Sequence, residues 1–209
     1  MKLKTLVAGI VLVTTAPLAM ADSDLYGALD LGQSTMAMDC SLSGAMSSLG
    51  FTSSTCMDKA TSPRASLGYQ INDNFAIEGG YIGIGKFERK ATGTNLGRPV
   101  TYTESMDVSE LQLAVILSSP IANKFSWFTK IGFARWDMKN SGELVVAGAV
   151  TSDTLPSATG IDFLWGIGIR YNINEALAVR VQYDRHNIGD SNTSEATVTM
   201  PSVGLIFKF

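Results

Sequence analysis

From about residue 24 onward, hydrophobic and polar positions alternate with a period of two, and turn residues interrupt the alternation at regular intervals. That periodicity is the mark of strands with two distinct faces, and helical periodicity is nearly absent after residue 21. The pattern predicts strands over about 24–34, 63–72, 74–86, 104–118, 124–138, 160–173, 176–187 and 198–209. Three connections are short: Asn72-Asp73-Asn74, 118–123 and Asn174-Glu175. Four are long, at about 35–62, 87–103, 139–159 and 188–197. Short and long alternate along the chain, which collects the short turns at one end of an up-and-down barrel and the long loops at the other.

Residue parity then separates the faces. In the sixth predicted strand Ile161, Phe163, Trp165, Ile167, Ile169 and Tyr171 share one face, and Leu164, Gly166, Gly168 and Arg170 the other. Leu177, Val179, Val181 and Tyr183 likewise oppose Ala178, Arg180, Gln182 and Asp184. Val203, Leu205, Phe207 and Phe209 oppose Ser202, Gly204, Ile206 and Lys208. The interior of an eight-stranded barrel is too narrow for a ring of Trp, Tyr, Phe and Ile from every strand. The bulky face therefore belongs outside, toward lipid, and the small or charged face inside. The expected fold is all-β: an eight-stranded antiparallel up-and-down transmembrane β-barrel. Tyr26, Tyr69, Phe75, Tyr81, Trp127, Trp165, Tyr171 and Tyr183 are then candidates for the interfacial aromatic girdles.

The first 21 residues carry Lys2 and Lys4, an apolar run from Leu6 to Val13, and Ala19-Met20-Ala21 before Asp22. This reads as a secretory signal peptide over 1–21, the run being too short to span a bilayer, with the barrel and its extracellular loops over 22–209. Loss of the two lysines takes the formal net charge from −3 to about −5. Nothing in that balance suggests nucleic acid. Cys40 and Cys56, 16 positions apart in a Ser/Met/Gly-rich stretch, read as one disulfide closing the first long loop, with a pair of free thiols as the alternative. No histidine lies near them, so neither a metal nor another cofactor is expected.

The segments 68–81, 111–132 and 166–190, in their order and spacing, resemble the transmembrane domain of the outer membrane protein A family. The stretch from Gly68-Tyr69-Gln70-Ile71-Asn72-Asp73-Asn74-Phe75 to Glu78-Gly79-Gly80-Tyr81 looks like its second and third strands. Leu111-Gln112-Leu113-Ala114-Val115-Ile116-Leu117 with Phe128-Thr129-Lys130-Ile131-Gly132 is similar to the fourth and fifth. Gly166-Ile167-Gly168-Ile169-Arg170-Tyr171, Val179-Arg180-Val181-Gln182-Tyr183 and Asn187-Ile188-Gly189-Asp190 are similar to the sixth and seventh. The resemblance covers the strands and leaves out the long loops. It implies a charged network in the lumen, here Glu78, Lys130, Arg170 and Arg180 with Glu110, Gln112, Gln182 and Asp184 nearby. Glu78 is expected to pair with Arg180 or Lys130. The family's inward lysine on the fourth strand aligns with Ile116 and its partner acid on the sixth with Arg170, so a gate built from that pair is not expected. The family's C-terminal peptidoglycan-binding domain is not expected either, since the sequence stops at Phe209. That residue, after Leu205 and Phe207, resembles the terminal signal read by the outer-membrane assembly machinery.

Catalytic chemistry finds little support. His186, the only histidine, lacks the His-x-Ser spacing of lipid A deacylase barrels and reads as a solvated residue at a strand end. Gly80-Tyr81-Ile82-Gly83-Ile84-Gly85-Lys86 imitates a phosphate-binding loop, but Phe87 stands where Ser or Thr is needed and no helix follows. Arg64, Lys86, Arg89, Lys90, Arg98, Arg135 and Lys139 fall toward the expected outer rim, either facing lipopolysaccharide phosphates or merely solvated. The expected protein is no enzyme. It is a Gram-negative surface barrel serving envelope integrity, adhesion or contact with a host or another cell through its loops. Its partners would be outer-membrane lipid, lipopolysaccharide, the assembly machinery and a host or cell-surface ligand, with a monomer the expected state. A narrow solute or ion pore is the alternative, and a lipopolysaccharide-modifying enzyme the third reading.

Overall fold

The computed structural model describes residues 24–189 and 196–209. The expected signal peptide and the tip of the last long loop lie outside the described residues. Ten strands and one short helix follow in the order β1 (Leu25–Met36), α1 (Gly44–Ser48), β2 (Phe51–Met57), β3 (Lys59–Asn72), β4 (Phe75–Asn95), β5 (Arg98–Ala122), β6 (Phe125–Val146), β7 (Ala149–Thr154), β8 (Ala158–Asn172), β9 (Leu177–Ile188) and β10 (Ala196–Lys208). Every pairing is antiparallel, and eight of the strands close a ring in the order β1, β3, β4, β5, β6, β8, β9, β10 and back to β1. A closed ring leaves no unpaired backbone edge, which is what a strand protein needs in lipid. The remaining two strands are additions: β2 pairs only with β4, and β7 only with β6.

The short turns gather at the end that holds Leu25 and Phe209. Two of them are closed by asparagine side chains. Asn72 Oδ1 accepts from the backbone N–H of Asn74 and Phe75, at 2.9 and 3.0 Å. Asn174 Oδ1 accepts from those of Ala176 and Leu177, at 3.0 and 2.7 Å. Side-chain turns of this kind spare residues the strands would otherwise surrender.

At the opposite end, two segments expected as loops are strands. Residues 87–103 form the upper arms of β4 and β5, and the stretch after 138 continues β6 and then turns back as β7. Leu96-Gly97 and Ala147-Gly148 close these hairpins, with φ of 49° and 76° in the first and 51° and 89° in the second. Positive φ at both central positions is the geometry of the two-residue hairpin whose twist matches the strands. The first long connection, 35–62, likewise contains α1, β2 and the start of β3.

β4 exchanges partners as it rises. Below a bulge at Gly83/Gly85 it pairs with β3, as in Arg64↔Ile82, and above it with β2, as in Met57↔Glu88. Gly85 has φ 116°, and a Cβ there would run into Ala60. The extra residue twists the strand away from one neighbour and toward the other.

The outward face is apolar where the strands form the ring. Leu29, Leu67, Ile77, Leu113, Phe133, Ile167, Val181 and Leu205 all point away from the lumen. Seven of the expected girdle aromatics, Tyr69, Phe75, Tyr81, Trp127, Trp165, Tyr171 and Tyr183, lie on this face. Tyr26 does not. On β1 the inward positions are Tyr26, Ala28, Asp30 and Ser34, and the Tyr26 ring fills the space left by Gly68 on the neighbouring strand.

Candidate functional site

The inward face is layered. At the level of the short turns, Tyr26, Ala28, Ala76, Ile116, Phe128, Ala178 and Ile206 form an apolar layer. Above it lies a belt of charge. Arg180 on β9 grips Asp30 on β1 through Nε and Nη2, at 2.7 and 2.6 Å, and reaches Glu78 on β4 through Nη1 at 2.6 Å. Glu78 also accepts from the Tyr26 hydroxyl at 3.1 Å, and its second oxygen lies 3.7 Å from Lys130 Nζ. Lys130 donates to Gln112 at 3.0 Å, and Gln112 donates to Glu110 at 3.2 Å. Glu110 in turn lies 2.9 Å from His186 Nδ1. Arg64 and Asp184 form a second pair at 2.5 Å, both fully buried.

Glycine makes these cross-strand contacts possible. Gly68 lies in register between Tyr26 and Glu78, Gly204 between Asp30 and Arg180, and Gly166 between Lys130 and Asp184. At each of the three, a Cβ would collide with an inward side chain: Tyr26, Asp30 and Asp184 respectively. Without side chains on the middle strands, Tyr26 reaches Glu78 across Gly68 and Arg180 reaches Asp30 across Gly204.

Above the belt a second apolar layer spans the lumen, built from Met36, Ile82, Ile84, Phe87, Val108, Trp136, Ile188, Val198 and Met200. The Trp136 indole N–H is carried by Asp162 at 2.7 Å. The charges are thus held between two dry layers, where an unpaired ion is costly and a paired, hydrogen-bonded one is tolerated.

Beyond the ring the upper arms continue as a five-stranded sheet in the order β2, β4, β5, β6, β7. Its inner face is apolar around Phe51, Ala91 and Val100, and the segment carrying α1 folds over it. A disulfide between Cys40 and Cys56, with Cα atoms 5.9 Å apart, ties that segment to β2. Arg89 Nη2 donates to Ser41 O at 2.6 Å, and Asn95 Nδ2 to Leu49 O at 3.1 Å. Asp39 accepts the Ser41 N–H at 2.9 Å, which holds its carboxyl below the ordinary carboxylate range.

A ring of lipid-facing strands, short turns on one side and a raised sheet on the other is the form of an outer-membrane barrel. The OmpA-like transmembrane domain model matches residues 20–209. The chain belongs to that family. Outer membrane protein A of Serratia marcescens is 30% identical over 148 residues, covering 69% of this chain and 38% of that protein. The Salmonella typhi protein is 31% identical over 147 residues, covering 68% and 38%. The match therefore spans well under half the length of these relatives. Among solved structures, Neisserial surface protein A aligns with a TM-score of 0.54 at 17% identity, over 90% of this chain and 98% of that one. Ail of Yersinia pestis, solved with the heparin analogue sucrose octasulfate, aligns with 0.51 at 12%, over 90% and 99%. Both similarities concern the fold. As an OmpA-like barrel the chain resides in the outer membrane, and its ring has the eight strands its sequence predicts, with β2 and β7 added.

Of the residues expected in the lumen of this OmpA-like domain, Glu78, Glu110, Lys130 and Arg180 sit in one connected belt. Glu78 meets both Arg180 and Lys130. Arg170 stands apart, its guanidinium 5.9 Å from the Phe128 ring centroid, and no carboxylate lies within ion-pair distance among the described residues. Ile116 belongs to the lower apolar layer. Two expectations are corrected. Arg64 is no rim residue: Pro63 takes the outward position and the guanidinium turns in to Asp184. His186 is no solvated residue: it is buried beneath the upper apolar layer, because β9 continues to Ile188 and parity turns the ring inward. The sequence reading missed Asp30. A signal for it existed, since Asp30 stands between Leu29 and Leu31 in a strand whose bulky positions face lipid.

Proposed function

We propose that this outer-membrane barrel is a non-catalytic surface protein. Its plugged, rigid ring carries the raised sheet for envelope integrity and for adhesion or contact with a host or another cell. The observation that supports this most is the sheet itself: β4, β5 and β6 run far past the apolar belt, and β2, β7 and a disulfide elaborate their outer arms. Strand structure of that extent above a membrane serves presentation of a surface, since the ring needs none of it to close. Ail's capture of a sulfated glycan analogue is a property of Ail; for this chain it suggests a class of ligand to try first.

Two apolar layers across the lumen argue against a pore. The sole histidine, sealed between them, argues against catalysis, which would need a nucleophile and a substrate beside it. In this reading Arg135 and Lys139, exposed just above the apolar belt, meet lipopolysaccharide phosphates. Phe209 marks the last strand for the assembly machinery, and the barrel is a monomer.

The test is adherence. The full chain is displayed on Gram-negative cells that lack other adhesins, beside a variant whose residues 88–104 are replaced by a two-residue turn. Both must show the boiling-dependent gel shift of a closed barrel. Adherence to cultured cells or to sulfated glycan that disappears with the arm supports the proposal; adherence at background for both proteins overturns it.

A further inference from the structure

At the far end of the raised sheet is a cavity of about 720 Å³, within the range of small-molecule sites. Its wall is apolar: Met46 on α1 and Leu49 at its end, Phe51 on β2, Val100 on β5, and Leu144 and Val146 on β6. Asn95 and Arg98 line it from the β4–β5 hairpin. Arg98 is the one charged residue of the lining, is exposed, and has no ion-pair partner among the described residues. A largely apolar, half-open cavity beside a single unneutralised cation has the polarity of an amphiphile with a negative head.

The hairpin tip adds a second observation, at the rim of the same cavity. Leu96 holds φ 49°, where Asn or Gly is preferred, and its side chain is 98% exposed. A bulky residue in a conformation that disfavours it, exposed at the rim of this cavity, points to something outside the chain that the leucine serves.

Height decides where the occupant comes from. On β5 the outward apolar run ends at Leu111, with Ser109 and Asp107 next above it; on β6 it ends at Phe133, before Arg135 and Asp137. Val100 lies roughly 25 Å above that boundary, at ~3.4 Å per residue and a strand tilt near 40°. An acyl chain anchored in the outer leaflet does not reach so far and remain in its lipid.

We propose that this cavity binds a water-borne single-chain amphiphile with an anionic head, the alkyl chain against Phe51, Val100 and Leu144 and the head at Arg98. The disulfide and the Asn95–Leu49 hydrogen bond hold the wall that α1 contributes. The proposal is independent of the surface-contact reading, which adherence tests separately.

The full chain in lipid nanodiscs, labelled with ¹³C-methyl methionine, is titrated with octyl phosphate below its micelle concentration. Met46 reports the cavity, and Met200, buried in the lumen, is the control. The expected result is a saturable shift of Met46 with Met200 unmoved. Binding should be at least tenfold weaker for octyltrimethylammonium, and tenfold weaker for octyl phosphate in Arg98→Glu. Leu144→Asp should abolish it, while both variants keep the boiling-dependent gel shift. Three outcomes overturn the proposal: a silent Met46, equal affinity for both head groups, or parallel shifts of all methionines that report partition into the disc. A Met46 shift that follows protein concentration without amphiphile overturns it too, and assigns the face to a second copy of this chain.

Discussion

Arg180 and Asp30, 150 positions apart, meet across a strand that separates them: Gly204 of β10 stands in register between the two and has no side chain to keep them apart. A Cβ at Gly204 would collide with the Asp30 carboxylate. Gly204→Val is therefore expected to lower stability by about 2–4 kcal/mol, since it parts a buried ion pair. Urea unfolding of the protein in detergent, followed by loss of the boiling-dependent gel shift, measures it. Gly27→Ala is the control, because a Cβ there meets only Phe209 and Leu67 at ordinary contact distances, 3.6 Å and beyond.

The charge belt should be more sensitive to losing one member than to losing the whole. Arg180→Met leaves Asp30 and Glu78 buried without their main partner and is expected to cost about 3–5 kcal/mol. Adding Asp30→Asn and Glu78→Gln removes the stranded charges and should restore most of that loss. If the triple variant unfolds as readily as the single one in the same titration, the ions act through packing and not through charge.

Current through the barrel would have to cross two apolar layers. In planar bilayers the protein is expected to show no steady open state. Replacing Phe87 and Trp136 together by alanine opens the upper layer and should raise the frequency of openings. A stable conductance in the unaltered protein would sink the plugged-lumen reading.

Reduction of Cys40–Cys56 should loosen the raised sheet and leave the ring alone. On intact cells a reductant is expected to expose 41–50 to protease, because the disulfide is the one covalent tie on that segment, and the Arg89–Ser41, Asn95–Leu49 and Thr94–Gly50 hydrogen bonds are weaker ones. The boiling-dependent shift should not change. In the chain-entropy model, closing a loop of this size is worth ~3 kcal/mol.

The Asp39–Ser41 turn carries a small pH dependence of known sign. Hydrogen bonding to Ser41 holds the Asp39 pKa below the ordinary aspartate value of 3.8. The bonded form is fully present above that value and is lost as pH falls through the lowered one. The Ser41 amide proton shift should titrate with a midpoint below 3.8 and lose that transition in Asp39→Asn.

The ring was legible in the sequence because two solvents face it. Lipid on one side and a narrow lumen on the other force period-two alternation, as in Ile161 to Tyr171, and the alternation fixes which side chains point in. The upper arms were not legible for the same reason. Above the bilayer much of the sheet meets water on both faces, so alternation fades through 87–103 and 139–146. Leu96-Gly97 and Ala147-Gly148 also lack the Asn or Gly that usually marks such a turn at its first position.

By itself, then, the sequence determined the ring of eight, its inside-out polarity, and the presence of Glu78, Glu110, Lys130 and Arg180 in the lumen. Tertiary structure alone decided the pairing partners, because Asp30, Gly204 and Arg180 come into line only when the first and last strands close the barrel. It decided what Tyr26, Arg64 and His186 meet in the lumen, since each finds its partner on another strand. It also decided the cavity at the tip of the sheet, whose walls come from four segments that no local pattern connects.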